Sequence, residues 1–220
     1  MTNPLDELRR RVSDLEHRVN LITLGGSPGS GNFTQYGPNV ISNGDIESGS
    51  TGWSRSFWTG TLGTVSVETT APLDGLRSLK ISEAASSSTR ITWLPSGNAT
   101  SPTVGTDVFA TSPGDVWLFN ALMQSSVSTT HAKLYGFCGN TPPDCFALQP
   151  NGGATTWVAA VDVPLTAGVP TTLSGTLTVP TGGLGYNYIA FNCSPDDAAA
   201  ASGVAWSWWL DNVSLQKKIG

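Results

Sequence analysis

Charge is scarce in this sequence. Asp, Glu, Lys and Arg make up 12% of its 220 residues, about half the usual share of a globular chain. The balance is acidic, at −5, and the clustered cations Arg9, Arg10 and Arg11 sit among acids. Phosphate contacts need surplus cation, so this pattern excludes a nucleic-acid partner. Histidine is rarer still. His17 and His131 lie far apart, and neither has zinc-site spacing to Cys138, Cys145 or Cys193. No apolar run approaches the roughly 18 residues of a membrane span. The polar N-terminus does not read as a signal peptide. No nucleophile elbow, His-based triad or metal-hydrolase motif is present, and the adjacent acids Asp196 and Asp197 do not suit one substrate. The expectation is a protein that is not an enzyme.

What the chain has instead is Gly (25), Pro (14) and Trp (8), with 39% hydrophobic residues. Short runs at strand spacing recur from Asn39 onward: "TVSVET", "SLKIS", "TRITWL", "DVWLFNALMQSS", "WVAAVDVPL", "TTLSGTLTVP", "YNYIAFNCS" and "VAWSWWLDNVSLQ". Turn residues interrupt them every 8 to 15 residues or so, as in a sandwich or barrel. Eight or nine strands in one β-domain are expected. "DDAAAAS", residues 196–202, reads as a loop. Cys138 and Cys145 flank the turn-rich "GNTPPD". Two readings stay open: a small disulfide loop that leaves Cys193 free, or three small buried hydrophobes.

Residues 4–24 differ from everything after them. Leu5, Leu8, Val12, Leu15, Val19 and Ile22 repeat at spacings of 3, 4, 3, 4, 3, an a/d heptad seam. Pro4 suits the first helical turn, Asp6 and Glu7 suit the positive helix terminus, and Gly25-Gly26 ends the helix. A seam under three heptads is marginal alone, so it implies partner helices. Val at a with Leu at d favours two strands. Arg11 to Glu16, "RVSDLE", resembles the short trimerisation signature in which Arg11 packs over the core and pairs with Glu16 of a neighbour. A parallel homotrimer is the reading preferred. "GGSPGSGNFTQYGP", residues 25–38, reads as a flexible linker.

Three stretches of the body stand in a familiar order: "NVISNGDIESGSTGW" (39–53), "APLDGLRSLKIS" (71–82) and "AWSWWLDNVSLQ" (205–216). Together they resemble the jelly-roll carbohydrate-binding modules associated with xylanases and glucanases. Those modules open with a strand and turn of the N-G-x-F-E-x-G type and close on D-N-V-x-L; Ile46 stands here for the usual Phe. The resemblance implies a β-sandwich jelly roll at 39–220; with the coiled coil read at 1–24 and the linker at 25–38, the chain is expected to be mainly β. It implies ligand-binding aromatics, for which the candidates are Trp58, Trp117, Trp157, Trp206 and Trp208; the alternative for each is a tryptophan packed in the core, where indole supplies much buried area. It also implies one structural calcium ion on Glu47 and Asp211; the alternative is that these carboxylates bond backbone amides. Residue alternation along the last strand assigns Trp209, Val213 and Leu215 to the core and leaves Trp206 and Trp208 for a second role. Trp53 is expected to be a core plug, with Leu79 and Ile81 inward and Lys80 outward.

A short N-terminal coiled coil joined to one jelly roll resembles the minor tail and fibre proteins of actinobacterial bacteriophages. That resemblance implies a virion component, made in the host cytoplasm without a signal peptide. Its partners would be other virion proteins and host surface polysaccharide. The alternatives are a structural decoration protein without glycan binding, or a carbohydrate-binding module of a glycan-processing system.

Overall fold

The computed structural model describes residues 34–59, 63–85, 87–146, 155–181, 186–195 and 203–219, without the side chains of 56–59 and 155–156. The expected helix (4–24), most of the expected linker and the 196–202 loop lie outside those residues. The compact body is Tyr36–Ile219. Tyr36 already bridges Lys218, and the Gly37 N–H donates to the Lys217 carbonyl at 2.7 Å.

The described residues form eleven strands: β1 (Trp53–Thr59), β2 (Thr64–Glu68), β3 (Ser78–Glu83), β4 (Ser88–Trp93), β5 (Phe109–Ala110), β6 (Val116–Ser125), β7 (Thr129–Gly139), β8 (Thr155–Leu165), β9 (Thr171–Thr178), β10 (Tyr188–Pro195) and β11 (Trp206–Lys217). A short 3₁₀ turn, Pro142–Phe146, follows β7. No helix among the described residues is long and apolar enough to cross a membrane. The first sheet runs β1-β4-β10-β7-β8, with β5 also on β10. The second runs β2-β3-β11-β6-β9. The strands pair antiparallel throughout. The chain crosses repeatedly between the sheets, giving a mainly β sandwich of jelly-roll type.

Period-two burial builds the core. β6 alternates half-buried and buried positions along its whole length. Its inward side chains Trp117, Phe119, Ala121 and Met123 meet Ile189, Phe191 and Cys193 of β10. Phe119 and Phe191 stack across the sheets with centroids 5.7 Å apart. Trp53 plugs one end, edge-on to Trp93 at 5.1 Å. Leu79 and Ile81 point inward as their alternation predicts, with Lys80 between them facing out.

The last strand breaks its own period. Between Asp211 and Ser214 the register against β6 shifts by one residue, a β-bulge. Asn212 there adopts φ 47°, a left-handed conformation that Asn tolerates better than most residues. Strict alternation would put Trp209, Val213 and Leu215 on one face. The bulge inverts it, so Trp206, Trp208 and Leu210 are buried before the bulge and Val213 and Leu215 after it.

The opening motif is mainly turn rather than strand before Trp53. Asn43 organises it. Its amide donates to the carbonyls of Gly49 and Thr51, and its Oδ1 accepts from Ser48 N–H. The Trp53 indole donates to the Asn43 carbonyl at 3.0 Å. Asn39 ties the segment to β11, accepting from Leu215 N–H and donating to the Val213 carbonyl. Gly44 must be glycine, because a Cβ there would lie 1.9 Å from the Val213 carbonyl oxygen.

Candidate functional site

Three of the candidate tryptophans point into the core. Trp117, Trp206 and Trp208 are 2%, 3% and 0% exposed. Their ring N–H groups donate inside the domain: Trp117 to Thr111 Oγ1, Trp206 to the Ser87 carbonyl, and Trp208 to Glu83 Oε1. Glu83 is itself buried and also accepts from the Thr89 N–H at 2.8 Å and hydroxyl at 2.9 Å. A ring enclosed in this way presents no face to a sugar. The expected second role of Trp206 and Trp208 is corrected accordingly, the cause being the bulge that alternation overlooked; the candidacy of Trp117 is corrected because it belongs to the inward set of β6. Trp209, expected in the core, is half-buried on the outside. The Trp58 side chain lies outside the described residues. Trp157, on β8, is 49% exposed.

Trp157 pairs with Phe137 across β7–β8 and so shares its face, the outer face of the first sheet. There Tyr135 meets Phe137 edge-on at 5.6 Å and Trp157 at 6.2 Å. Arg90 from β4 lies 4.8 Å above the Phe137 ring, a cation–π contact. Between them, Asn192 Oδ1 accepts from the Thr92 hydroxyl, and the Ser194 hydroxyl lies 3.4 Å from the Tyr135 phenol. Arg90, Thr92, Tyr135, Asn192 and Ser194 are all buried. Burial pushes the Tyr135 phenol above its ordinary pKa, so it remains a hydroxyl donor. Asn192 Nδ2 has no hydrogen-bond partner among the described residues.

The same face opens along β7–β8. Asp162 pairs with Lys133 in register. Its Oδ1 lies 2.7 Å from His131 Nδ1 and its Oδ2 4.0 Å from Lys133 Nζ. From Trp157 to Asp162 the strand extends about 15 Å. An exposed indole followed by imidazole, carboxylate and ammonium groups offers a flat ring for the C–H face of a sugar and partners for its hydroxyls.

The expected calcium ligands meet a single turn, residues 74–77. Glu47 Oε1 accepts from Leu76 N–H at 2.7 Å and Arg77 N–H at 3.3 Å. Asp211 Oδ2 accepts from Asp74 N–H at 3.2 Å, and Asp74 Oδ2 accepts from the Asn212 amide at 2.6 Å. The backbone-amide bonding is therefore present. Burial pushes the Asp211 carboxyl up to about 7, opposed by the N–H groups of Asn212 and Asp74 and reinforced by the charges of Asp74 and Glu47. Among the described residues no three His, Cys, Asp or Glu side chains gather at metal-ligating spacing. A cation here would take the carboxylates of Glu47 and Asp211, oxygen donors of the kind that suit a hard ion.

The cysteines follow the second of their two readings. Cys138, Cys145 and Cys193 are free and buried. Burial raises all three thiols, Cys138 to about 12.

Neither a protein-family model nor a curated protein matches the chain. Solved structures do match its fold. A family 22 xylan-binding module from Paenibacillus barcinonensis superposes with a TM-score of 0.52 at 12% identity, over 84% of this chain and 98% of that one. A family 16 carbohydrate-binding module gives 0.50 at 17% identity, over 80% and 99%. The chain shares the β-sandwich fold of these modules. The enzymatically active domain of tailspike protein 4 from bacteriophage CBA120 also matches, at 0.51 and 14% identity; the aligned part is 80% of this chain and 21% of that one.

Of the candidate tryptophans with a described side chain, only Trp157 is exposed; the sequence did not point to the residues beside it. Tyr135, Phe137 and Lys133 sit on β7, a strand whose Gly136, Gly139 and polar start hid its period. Arg90 and Thr92 were visible within "TRITWL", but nothing local marked that they face away from the core.

Proposed function

We propose that this chain is a non-enzymatic glycan-binding protein of a virion, a minor tail or fibre component that displays its β-sandwich for host surface attachment. The observation that carries the glycan reading is the exposed Trp157 indole, set edge-on to Tyr135 on the same sheet face as the solvent-facing groups of His131, Lys133 and Asp162. Its fold is shared over nearly the full length of two carbohydrate-binding modules. The tailspike match and the N-terminal heptad seam support the phage setting. In this account three chains associate through Leu5, Leu8, Arg11, Val12, Leu15, Glu16, Val19 and Ile22. Linking three weak sites raises avidity by orders of magnitude. A calcium ion on Glu47 and Asp211 would brace the opening turn against β11. The test is retention of the full-length protein by a panel of bacterial surface polysaccharides. Retention lost in Trp157→Ala, at unchanged melting temperature, supports the reading. Failure to bind any of them refutes it.

A structural virion role without glycan binding is favoured by one observation: Arg90, Thr92, Tyr135, Asn192 and Ser194 are closed to solvent. A module of a glycan-processing system is favoured by another, the near-complete overlap with carbohydrate-binding modules.

A further inference from the structure

The second sheet carries its own constellation, on the face turned away from the core. Trp209 is half-buried there, paired in register with Lys80 on β3 and Gln124 on β6. Lys80 Nζ lies 5.3 Å from the indole centroid and 3.5 Å from Glu68 Oε2. The cation is thus matched by a carboxylate on the neighbouring strand. From Trp209 the face continues through half-buried Gln124, Leu122 and Asn120 on β6, the Asn120 amide donating to Ser214 Oγ at 2.9 Å, to Thr172 and Ser174 on β9, both exposed. Ser174 sits opposite Asn120. Three adjacent strands span roughly 10 Å, so indole, amides and hydroxyls form one patch.

The chemistry of this patch selects its occupant. An acidic glycan or a nucleic acid needs cations without partners, and Lys80 is paired. A stable interface between two copies concentrates large apolar groups at its centre, whereas amides and hydroxyls alternate with the apolar side chains here. Amides and hydroxyls both donate and accept, as sugar hydroxyls require, and an indole face suits sugar C–H groups.

We propose that the outer face of β11–β6–β9 is a second glycan-contact surface, taking a neutral polysaccharide chain with Trp209 as its stacking ring. It goes beyond the Trp157 reading, because it lies on the other sheet and uses none of the same residues. Two such surfaces would let one domain bridge two glycan chains.

The test is nitrogen-15 NMR of the indole N–H signals in the full-length chain, titrated with xylohexaose, cellohexaose and linear mannan and galactan oligomers. Trp157→Phe and Trp209→Phe variants assign the two resonances. Saturable shifts of both signals, with the bound stoichiometry halved by Trp209→Ala, are the expected result. A shift of Trp209 alone keeps this inference and removes the Trp157 site. A shift of Trp157 alone overturns the second surface and leaves the first. No shift of either with any probe overturns both. A Trp209 signal that moves with protein concentration in the absence of sugar overturns the inference by seating a second copy on the face.

Discussion

Asp211 shows how much one buried carboxyl decides. It is 1% exposed, and its folded-state pKa is raised from 3.8 to about 7. The folded protein therefore holds a proton that the unfolded chain has already released. Linkage makes its contribution most favourable below about pH 4, with stability lost as pH rises towards 7. Thermal melts of chelator-treated protein should fall across that window, and Asp211→Asn should flatten the fall. Added calcium should reverse it, since a cation favours the ionised form; a melt unchanged by calcium at pH 7 argues against the ion. The thiols make a second residue-scale case. A thiolate is the reactive species, and burial raises Cys138 to about 12. Iodoacetamide at pH 8 should label none of Cys138, Cys145 and Cys193 until the protein is unfolded, as read by mass spectrometry.

At the scale of elements, β11 holds the lesson about legibility. Its apolar residues were plain in the sequence, and so was its place as a closing strand. The bulge was not, because nothing local says that Asn212 will turn left-handed; that follows from the Asn212 amide reaching Asp74, 138 positions away. One uncounted residue exchanged the inward and outward sets, so Trp209 and the Trp206–Trp208 pair changed places. Eight or nine strands were expected and eleven are described; β1, β5 and β7 were not among the legible runs, and with β7 went Tyr135 and Phe137. Site residues are harder to read than core residues because a sheet's outer face is set by which strands become neighbours, here β4, β10 and β7. The burial of β11 makes a prediction. Trp208→Ala should cost roughly 3–5 kcal/mol, the range for deleting a large buried aromatic, and it also removes the indole donor to Glu83. Chemical denaturation would measure it; a loss under 1 kcal/mol would contradict the assignment of Trp208 to the core.

For the whole molecule, the body and the N-terminal seam make separable claims. Val12 and Leu15 lie mid-seam. Replacing both with Asp should give monomers by sedimentation while the body's melting temperature stays within a few degrees; persistent trimers would overturn the coiled-coil reading. Loss of trimers should also weaken retention on a polysaccharide surface far more than binding to a short oligosaccharide, because avidity needs linked sites. The central claim concerns the domain itself, that Trp157 and its face bind sugar. The most direct measurement is affinity electrophoresis of the wild type and Trp157→Ala in gels containing the best-retained polysaccharide. A loss of at least tenfold in affinity, about 1.4 kcal/mol, with an unchanged melting temperature, is the predicted result. Equal mobility shifts for the two proteins would contradict it.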